Sequence, residues 1–224
     1  MNTALLQTTY FGPIQWYQKL YRSDHCLIEQ YDSFQKQTYR NRCIIATANG
    51  LQALTVPVEH TNLSPLPSHP SPLVKDLRIS DHNQWRRVHW NALQSAYSES
   101  PFFEYYADDL HSFFEKKYDF LIDFNEAIRK KICELIDIHP QVEYTSSFLS
   151  PLHLRQPILH SSRFTLHSPL EDLRDVIHAK HPQPDADFQP KEYWQVFRHK
   201  HGFLPNLSIL DLLFCMGPEA IFYL

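Results

Sequence analysis

Apolar positions along this chain follow two rhythms. Thr3-Ala4-Leu5-Leu6-Gln7 and residues 25–30 are short, nearly continuous apolar runs, the pattern of strands buried on both faces. Between them, Thr8-Thr9-Tyr10-Phe11-Gly12-Pro13 reads as a turn. Pro13 stands where a helix begins, and Trp16, Tyr17 and Leu20 form one stripe of a helix over about Pro13–Tyr21. A strand–turn–helix–strand opening begins an α/β unit. Residues 42–47 and 52–58 are β-rich and flank Ala48-Asn49-Gly50, which predicts a hairpin. Alternation over 73–79 predicts one more strand.

From residue 80 the rhythm becomes helical. Ser80 and Asp81 can each cap a helix reaching about Tyr97, Asp81 pairing with Gln84 as a capping box, with Trp85, Val88, Ala92 and Ala96 as its stripe. A second helix starts at Ser100-Pro101 and turns Phe102, Phe103, Tyr106 and Leu110 inward; a third covers 117–137. Residues 162–166 suit a strand and 192–199 a helix. Ser208 caps a last apolar helix, Ile209 to Met216, closed by Gly217-Pro218, with Asp211 completing its capping box. Residues 59–72, with Pro65, Pro67, Pro70 and Pro72, form a loop, either a linker or a strap over a site. The expectation is an α/β fold: a small mixed sheet from the N-terminal third, then a predominantly helical middle and C-terminal part. One domain spans 1–224, with about 1–80 sheet-containing and about 81–224 mainly helical.

Composition narrows the function more than the fold. A formal charge of −4 argues against a nucleic-acid binder. Four widely spaced cysteines without a CxxC pair read as reduced, mostly buried thiols of a cytoplasmic protein. The N-terminus has no basic n-region, and no apolar run approaches the roughly 18 residues of a membrane span. Four scattered glycines cannot build a GxGxxG or Walker loop. The pairs His199/His201 and His178/His181 lack a third ligand at diagnostic spacing, so no metal site is expected.

The densest chemistry lies in Lys36-Gln37-Thr38-Tyr39-Arg40-Asn41-Arg42-Cys43. Long donors occupy a connection that would ordinarily use Gly, Pro, Asn or Ser. Two of them are guanidinium forks suited to carboxylate or phosphate. Lys36, Arg40 and Arg42 are therefore expected to neutralise an anionic small molecule, a phosphate or carboxylate, that Gln37 and Asn41 orient, unless acids such as Glu29 and Asp32 pair with them. Gln7 and Tyr10 follow the first strand, at the end where open α/β sheets bind ligands. In Trp85-Arg86-Arg87-Val88-His89-Trp90, Arg86 and His89 share a helix face. His89 is a candidate general acid or base unless it is a packed structural histidine. Glu104 is a second candidate base on the following turns. Cys43, beside Arg42, is read as a buried thiol.

Several of these segments together resemble the WbqC-like family of bacterial proteins. They are Gln7-Thr8-Thr9-Tyr10-Phe11, the block from Lys36 through Val58, Trp85…His89-Trp90, Ser100-Pro101-Phe102-Phe103-Glu104, and Gly202-Phe203…Asn206-Leu207-Ser208-Ile209-Leu210-Asp211-Leu212-Leu213-Phe214. Many members begin with Gln-Pro-x-Tyr-Phe-Pro; here Thr8 and Gly12 stand at the proline positions. The resemblance implies a bacterial cytoplasmic protein found among surface-polysaccharide and O-antigen functions. It also implies a transferase that adds a small acyl or aminoacyl group to a phosphorylated or nucleotide-linked amino sugar, served by a nucleotide-activated or acyl donor. Two alternatives stand beside it: a nucleotidyltransferase-like enzyme, although the chain lacks an HxGH motif, and a non-enzymatic scaffold of polysaccharide assembly.

Overall fold

The computed structural model describes residues 2–59, 71–150, 160–161, 164–165 and 170–224. Strand β1, Thr3–Gln7, is buried along its whole length, as its unbroken apolar run requires. Helix α1, Ile14–Arg22, returns the chain to β2, His25–Glu29. β2 lies parallel to β1, in register from Thr3 opposite His25 to Gln7 opposite Glu29. The hairpin of β3, Arg42–Thr47, and β4, Gly50–Thr55, forms a separate antiparallel sheet. It turns at Ala48-Asn49, with Gly50 at φ +103°, a backbone that favours glycine.

The helical middle holds α2, Trp85–Tyr97, α3, Phe103–Glu115, and α4, Leu121–Leu135. Strand β5, Val142–Tyr144, follows. A two-residue pair, β6 (His160–Ser161) and β7 (Phe164–Thr165), then precedes β8, Leu170–Asp172. Helices α5, Arg198–His201, and α6, Ile209–Met216, end the order of elements, with a closing 3-10 segment. β5 and β8 join the first two strands in a four-stranded parallel sheet ordered β5-β2-β1-β8. The fold is thus α/β with a helical middle and C-terminal part. Two of the four parallel strands come from well beyond residue 80. The path runs outward from β1 through β2 to β5 and then crosses to β8 on the other side of β1. That reversal is a topological switch point, where open α/β sheets leave a crevice beyond the strands' carboxyl ends.

Aromatic side chains fill the space between the sheets and the helices. Tyr10 stacks on Phe124 and meets Phe11 edge-on; Phe11 stacks on Phe114; Phe103 meets Phe214. Each fully buried ring is worth roughly 1.5–3 kcal/mol. All four cysteines are buried free thiols, and burial pushes Cys26 up to about 12 and Cys43 higher still.

Four local expectations change. Residues 73–79 hold a 3-10 turn, Val74–Asp76, instead of a strand. The Val74 and Lys75 amides donate to Asp32 and Gln30 carbonyls, which anchors the segment to the end of β2. Neither Ser80 nor Asp81 caps α2, because a 3-10 turn, His82–Gln84, intervenes and Gln84 takes the cap position in a left-handed conformation. The helix foreseen over 192–199 shrinks to α5. Gln195 is committed to the backbone of Leu204 in both directions, which holds the preceding residues irregular. Ser208 does cap α6, accepting from the Leu210 amide. Asp211 is buried, however, and accepts from Tyr97, Tyr193 and Gln195. Most of the proline-rich loop, residues 60–70, lies outside the described residues.

Candidate functional site

A cleft of about 800 Å³ opens beside the β3–β4 hairpin. One wall is the turn before β3, with Lys36, Gln37 and Asn41, continued by Arg42 at the start of β3. Opposite it run the residues leaving β4, Thr55 to Glu59, and the residues entering α2, Ser80 and His82. Local chemistry fixes the first wall. Asn41 clamps Val56 from both directions, its Nδ2 donating to the Val56 carbonyl at 2.8 Å and its own carbonyl accepting from the Val56 amide at 2.8 Å. Arg42 faces Thr55 in the ladder and donates from Nε to Thr55 Oγ1 at 3.0 Å. Among the described residues, neither Arg42 nor Lys36 makes an ion pair, although Glu59 lines the same cleft. The turn bends at Gln37, a non-glycine residue at φ +62°.

Arg40 has a different environment. Its side chain is 3% exposed and ion-paired with Asp32. Burial lowers its guanidinium pKa, and the adjacent Asp32 carboxylate opposes that shift. This pair belongs to a cluster at the carboxyl ends of the parallel strands. Arg174, just past β8, grips Asp172 through Nε and Nη2 at 2.8 and 2.7 Å and lies 3.5 Å from Glu29. Glu29, at the end of β2, accepts from the Tyr31 and Leu149 amides and from Thr145 Oγ1. Gln7 joins this end of the sheet, donating to the Ile177 carbonyl, while its buried Oε1 has no partner among the described residues.

His89 and Tyr10 lie in the interior. Tyr10 Oη and His89 Nδ1 are 2.9 Å apart, and the imidazole meets the Trp85 ring edge-on. Burial pushes His89 down to about 4, with a backbone hydrogen bond at Thr55 partly offsetting it. The imidazole is therefore neutral at pH 7 and ties α2 to the β1–α1 turn and to the end of β4. Arg86 pairs with Asp81 and lies over the Trp85 ring. Lys117 and Arg86 together hold the Asp81 carboxyl down to about 2. Glu104 is exposed in the first turn of α3.

The residues singled out from sequence therefore divide among several places. Lys36, Asn41 and Arg42 meet at the cleft. Arg40 and Gln7 stand at the sheet end, Tyr10 and His89 behind Thr55, Arg86 on Asp81, and Glu104 on the surface of α3. Sequence reasoning passed over Arg174, which reaches Glu29 across 145 positions of chain, a separation that leaves no local pattern. It also passed over Ser80 and His82 as cleft residues, because a serine before a helical stripe reads as a cap. Elsewhere, Glu171, Asp185 and Asp187 converge on Lys19, whose Nζ lies 3.8, 3.0 and 4.0 Å from them. The ammonium supplies the positive charge that group of acids needs.

Across 235 aligned positions the chain is 26% identical to the uncharacterized protein Rv1507c of Mycobacterium tuberculosis, covering 100% of this chain and 97% of that one. No solved structure matches. Residues 7–163, which include the first wall of the cleft, Ser80, His82 and the Asp32–Arg40 pair, match the WbqC-like protein family. A match over that much of the chain means that it belongs to the WbqC-like protein family.

Proposed function

We propose that this protein is a transferase of bacterial surface-polysaccharide or amino-sugar metabolism. It adds a small acyl or aminoacyl group to a phosphorylated or nucleotide-linked sugar and works in the cytoplasm. The observation that carries the reading is the cleft's unneutralised cations. Arg42 and Lys36 face a concavity large enough for a sugar nucleotide, and among the described residues the Arg42 guanidinium is met by a hydroxyl and by no carboxylate. A guanidinium fork matches phosphate oxygens in two-point geometry, and lysine adds a mobile charge. Arg40 braces the same turn from behind through Asp32, and Tyr10 with His89 hold Thr55 in place. Positioning of this kind can supply much of the rate of a group transfer.

Thermal-shift titration with inorganic phosphate, a uridine diphosphate amino sugar, ATP and acetyl-CoA tests it. The expected result is stabilisation by the nucleotide sugar or by an acyl donor, weakening as salt rises. No stabilisation by any of the four would overturn the anion-site reading. Stabilisation by ATP alone would favour a nucleotidyltransferase-like enzyme. One observation supports that second reading: the switch point between β1 and β8, flanked by Gln7 Oε1, which has no partner among the described residues.

A further inference from the structure

Ser80 and His82 line the cleft opposite Arg42. Ser80 Oγ lies 2.5 Å from His82 Nδ1. Ser80 is 6% exposed, while His82 is exposed. The Ser80 backbone is pinned separately, its amide donating to the Pro57 carbonyl and its carbonyl accepting from Trp85 Nε1 at 3.0 Å. The hydroxyl also accepts from the His82 amide at 3.4 Å, which sets it within the turn beside the imidazole. The next two residues, Asn83 and Gln84, both have positive φ, at 62° and 48°. Non-glycine residues rarely take this conformation, and two in succession cost of order 1–3 kcal/mol each. A plain serine or aspartate cap would start α2 without that cost. The strained turn instead separates His82 from α2, so the imidazole stands at the cleft outside the helix.

We propose that Ser80 and His82 form a nucleophile–base dyad that accepts the acyl or aminoacyl group before it passes to the sugar. This rests on the transferase reading and adds its chemistry. The donor class is an acyl group activated by phosphate, whose leaving oxygens Arg42 and Lys36 would hold. Ser80 Oγ attacks the acyl carbon while its proton moves to His82 Nδ1. The bond from acyl carbon to phosphate oxygen breaks, the electron pair leaves with the phosphate, and the imidazolium gives up its proton to that leaving group. The amino nitrogen of the acceptor then attacks the seryl ester. Its proton passes through His82 to Ser80 Oγ as the ester bond breaks, restoring the free hydroxyl and yielding the amide. A serine paired with a histidine in this way is the usual means of activating a hydroxyl that is otherwise a weak nucleophile.

Diisopropyl fluorophosphate tests the dyad on the full chain without knowledge of the substrate. The probe is uncharged, so its reaction does not require Arg42 or Lys36. The expected result is one diisopropylphosphoryl group per chain, mapped by peptide mass spectrometry to Ser80. His82→Gln should slow the labelling at least about a hundredfold, the lower range of general-base effects. No adduct on Ser80 of the wild-type protein overturns the proposal, as does an adduct forming equally fast in a folded His82→Gln variant. Should His82→Gln melt early, His82→Asn serves instead, and mapping of the wild type alone still decides the first point. The two readings fail separately: labelling that survives Arg42→Gln speaks to the dyad, whereas phosphate stabilisation that survives Ser80→Ala speaks to the anion site.

Discussion

The end of the parallel sheet and the hairpin cleft each take an arginine from the same short turn and treat it in opposite ways. At the sheet end, Arg40 is enclosed and neutralised by Asp32, within a cluster that also holds Glu29, Asp172 and Arg174. At the cleft, Arg42 is half-buried, and among the described residues its side chain is satisfied only by the Thr55 hydroxyl. Arg40 sits in the turn that precedes β3, and Arg42 is the first strand residue, so the change of backbone sends their side chains to different places. The contrast shows that cationic density in a sequence does not by itself mark a binding site. A buried cation already matched by a carboxylate is part of the scaffold; one left with a hydroxyl can still take an anion.

The largest effect should come from breaking the closed side. Asp32→Asn leaves the Arg40 guanidinium buried without its countercharge, and removing one partner of such a pair costs about 3–5 kcal/mol. Asp32 retains 17% side-chain exposure, so water can offset part of this and the lower end is expected. Urea denaturation measures it. A loss below about 1 kcal/mol would mean that Arg40 is not held by Asp32, and the distinction between the two arginines would collapse.

The interior behind Thr55 gives the next test. His89 is held near pH 4 in the folded chain against an ordinary 6.5. Between those values the unfolded chain takes up a proton that the folded chain refuses. Stability contributed here is complete above about pH 6.5 and is lost as pH falls toward 4, in total on the order of 3 kcal/mol. The groups around the imidazole are the Tyr10 phenol, itself held protonated by burial, the Trp85 ring and the Thr55 backbone. None carries a charge in this range. Urea midpoints from pH 4 to 7 should fall steeply on the acid side in the wild type and much less in His89→Gln. Equal slopes in the two proteins would contradict a neutral buried His89.

Removing the hydroxyl that meets this imidazole is milder. Tyr10→Phe keeps the ring packing on Phe11 and Phe124 but leaves one imidazole nitrogen unpaired, costing about 1–2 kcal/mol. Thermal denaturation at pH 7 reads it. A variant as stable as the wild type would mean that the Tyr10–His89 contact contributes nothing to holding Thr55 in place.

How far the sequence revealed these two sides depends on the distance over which each signal acts. β1, α1 and β2 were legible because their apolar rhythm is local, and the hairpin because Asn49-Gly50 names its own turn. The C-terminal helix announced both ends through Ser208 and Gly217. β5 and β8 were not legible: three-residue strands owe their existence to β2 and β1, which lie far off in sequence. The same holds for the site. The turn from Lys36 to Arg42 was visible as an anomaly of composition. Whether each cation would be neutralised depended on Asp32, and on which side of the strand start each residue fell. Asp211 shows the same limit, since its place in a capping box is a local pattern while Tyr97 and Tyr193, which claim its carboxylate, come from elsewhere.

The smallest change in stability should carry the most information about function. Arg42→Gln removes a half-buried charge that pairs with no carboxylate among the described residues, and glutamine can still reach Thr55. The unfolding free energy should therefore change by less than about 0.5 kcal/mol, the usual range for a substitution outside a buried network. Ligand linkage should respond far more. If the cleft holds a nucleotide sugar at a hundred times its Kd, the wild type gains about 2.7 kcal/mol from binding. Losing the guanidinium should weaken that affinity at least tenfold, about 1.4 kcal/mol, so the variant should show roughly half the ligand-induced stabilisation at the same concentration. The matched change at Arg40 should do the reverse, lowering stability without ligand while leaving the increment per bound ligand close to that of the wild type wherever the variant is folded. An Arg42→Gln protein that keeps the full increment would place the anion elsewhere, and the open side of the turn would then be no more a binding surface than the closed one.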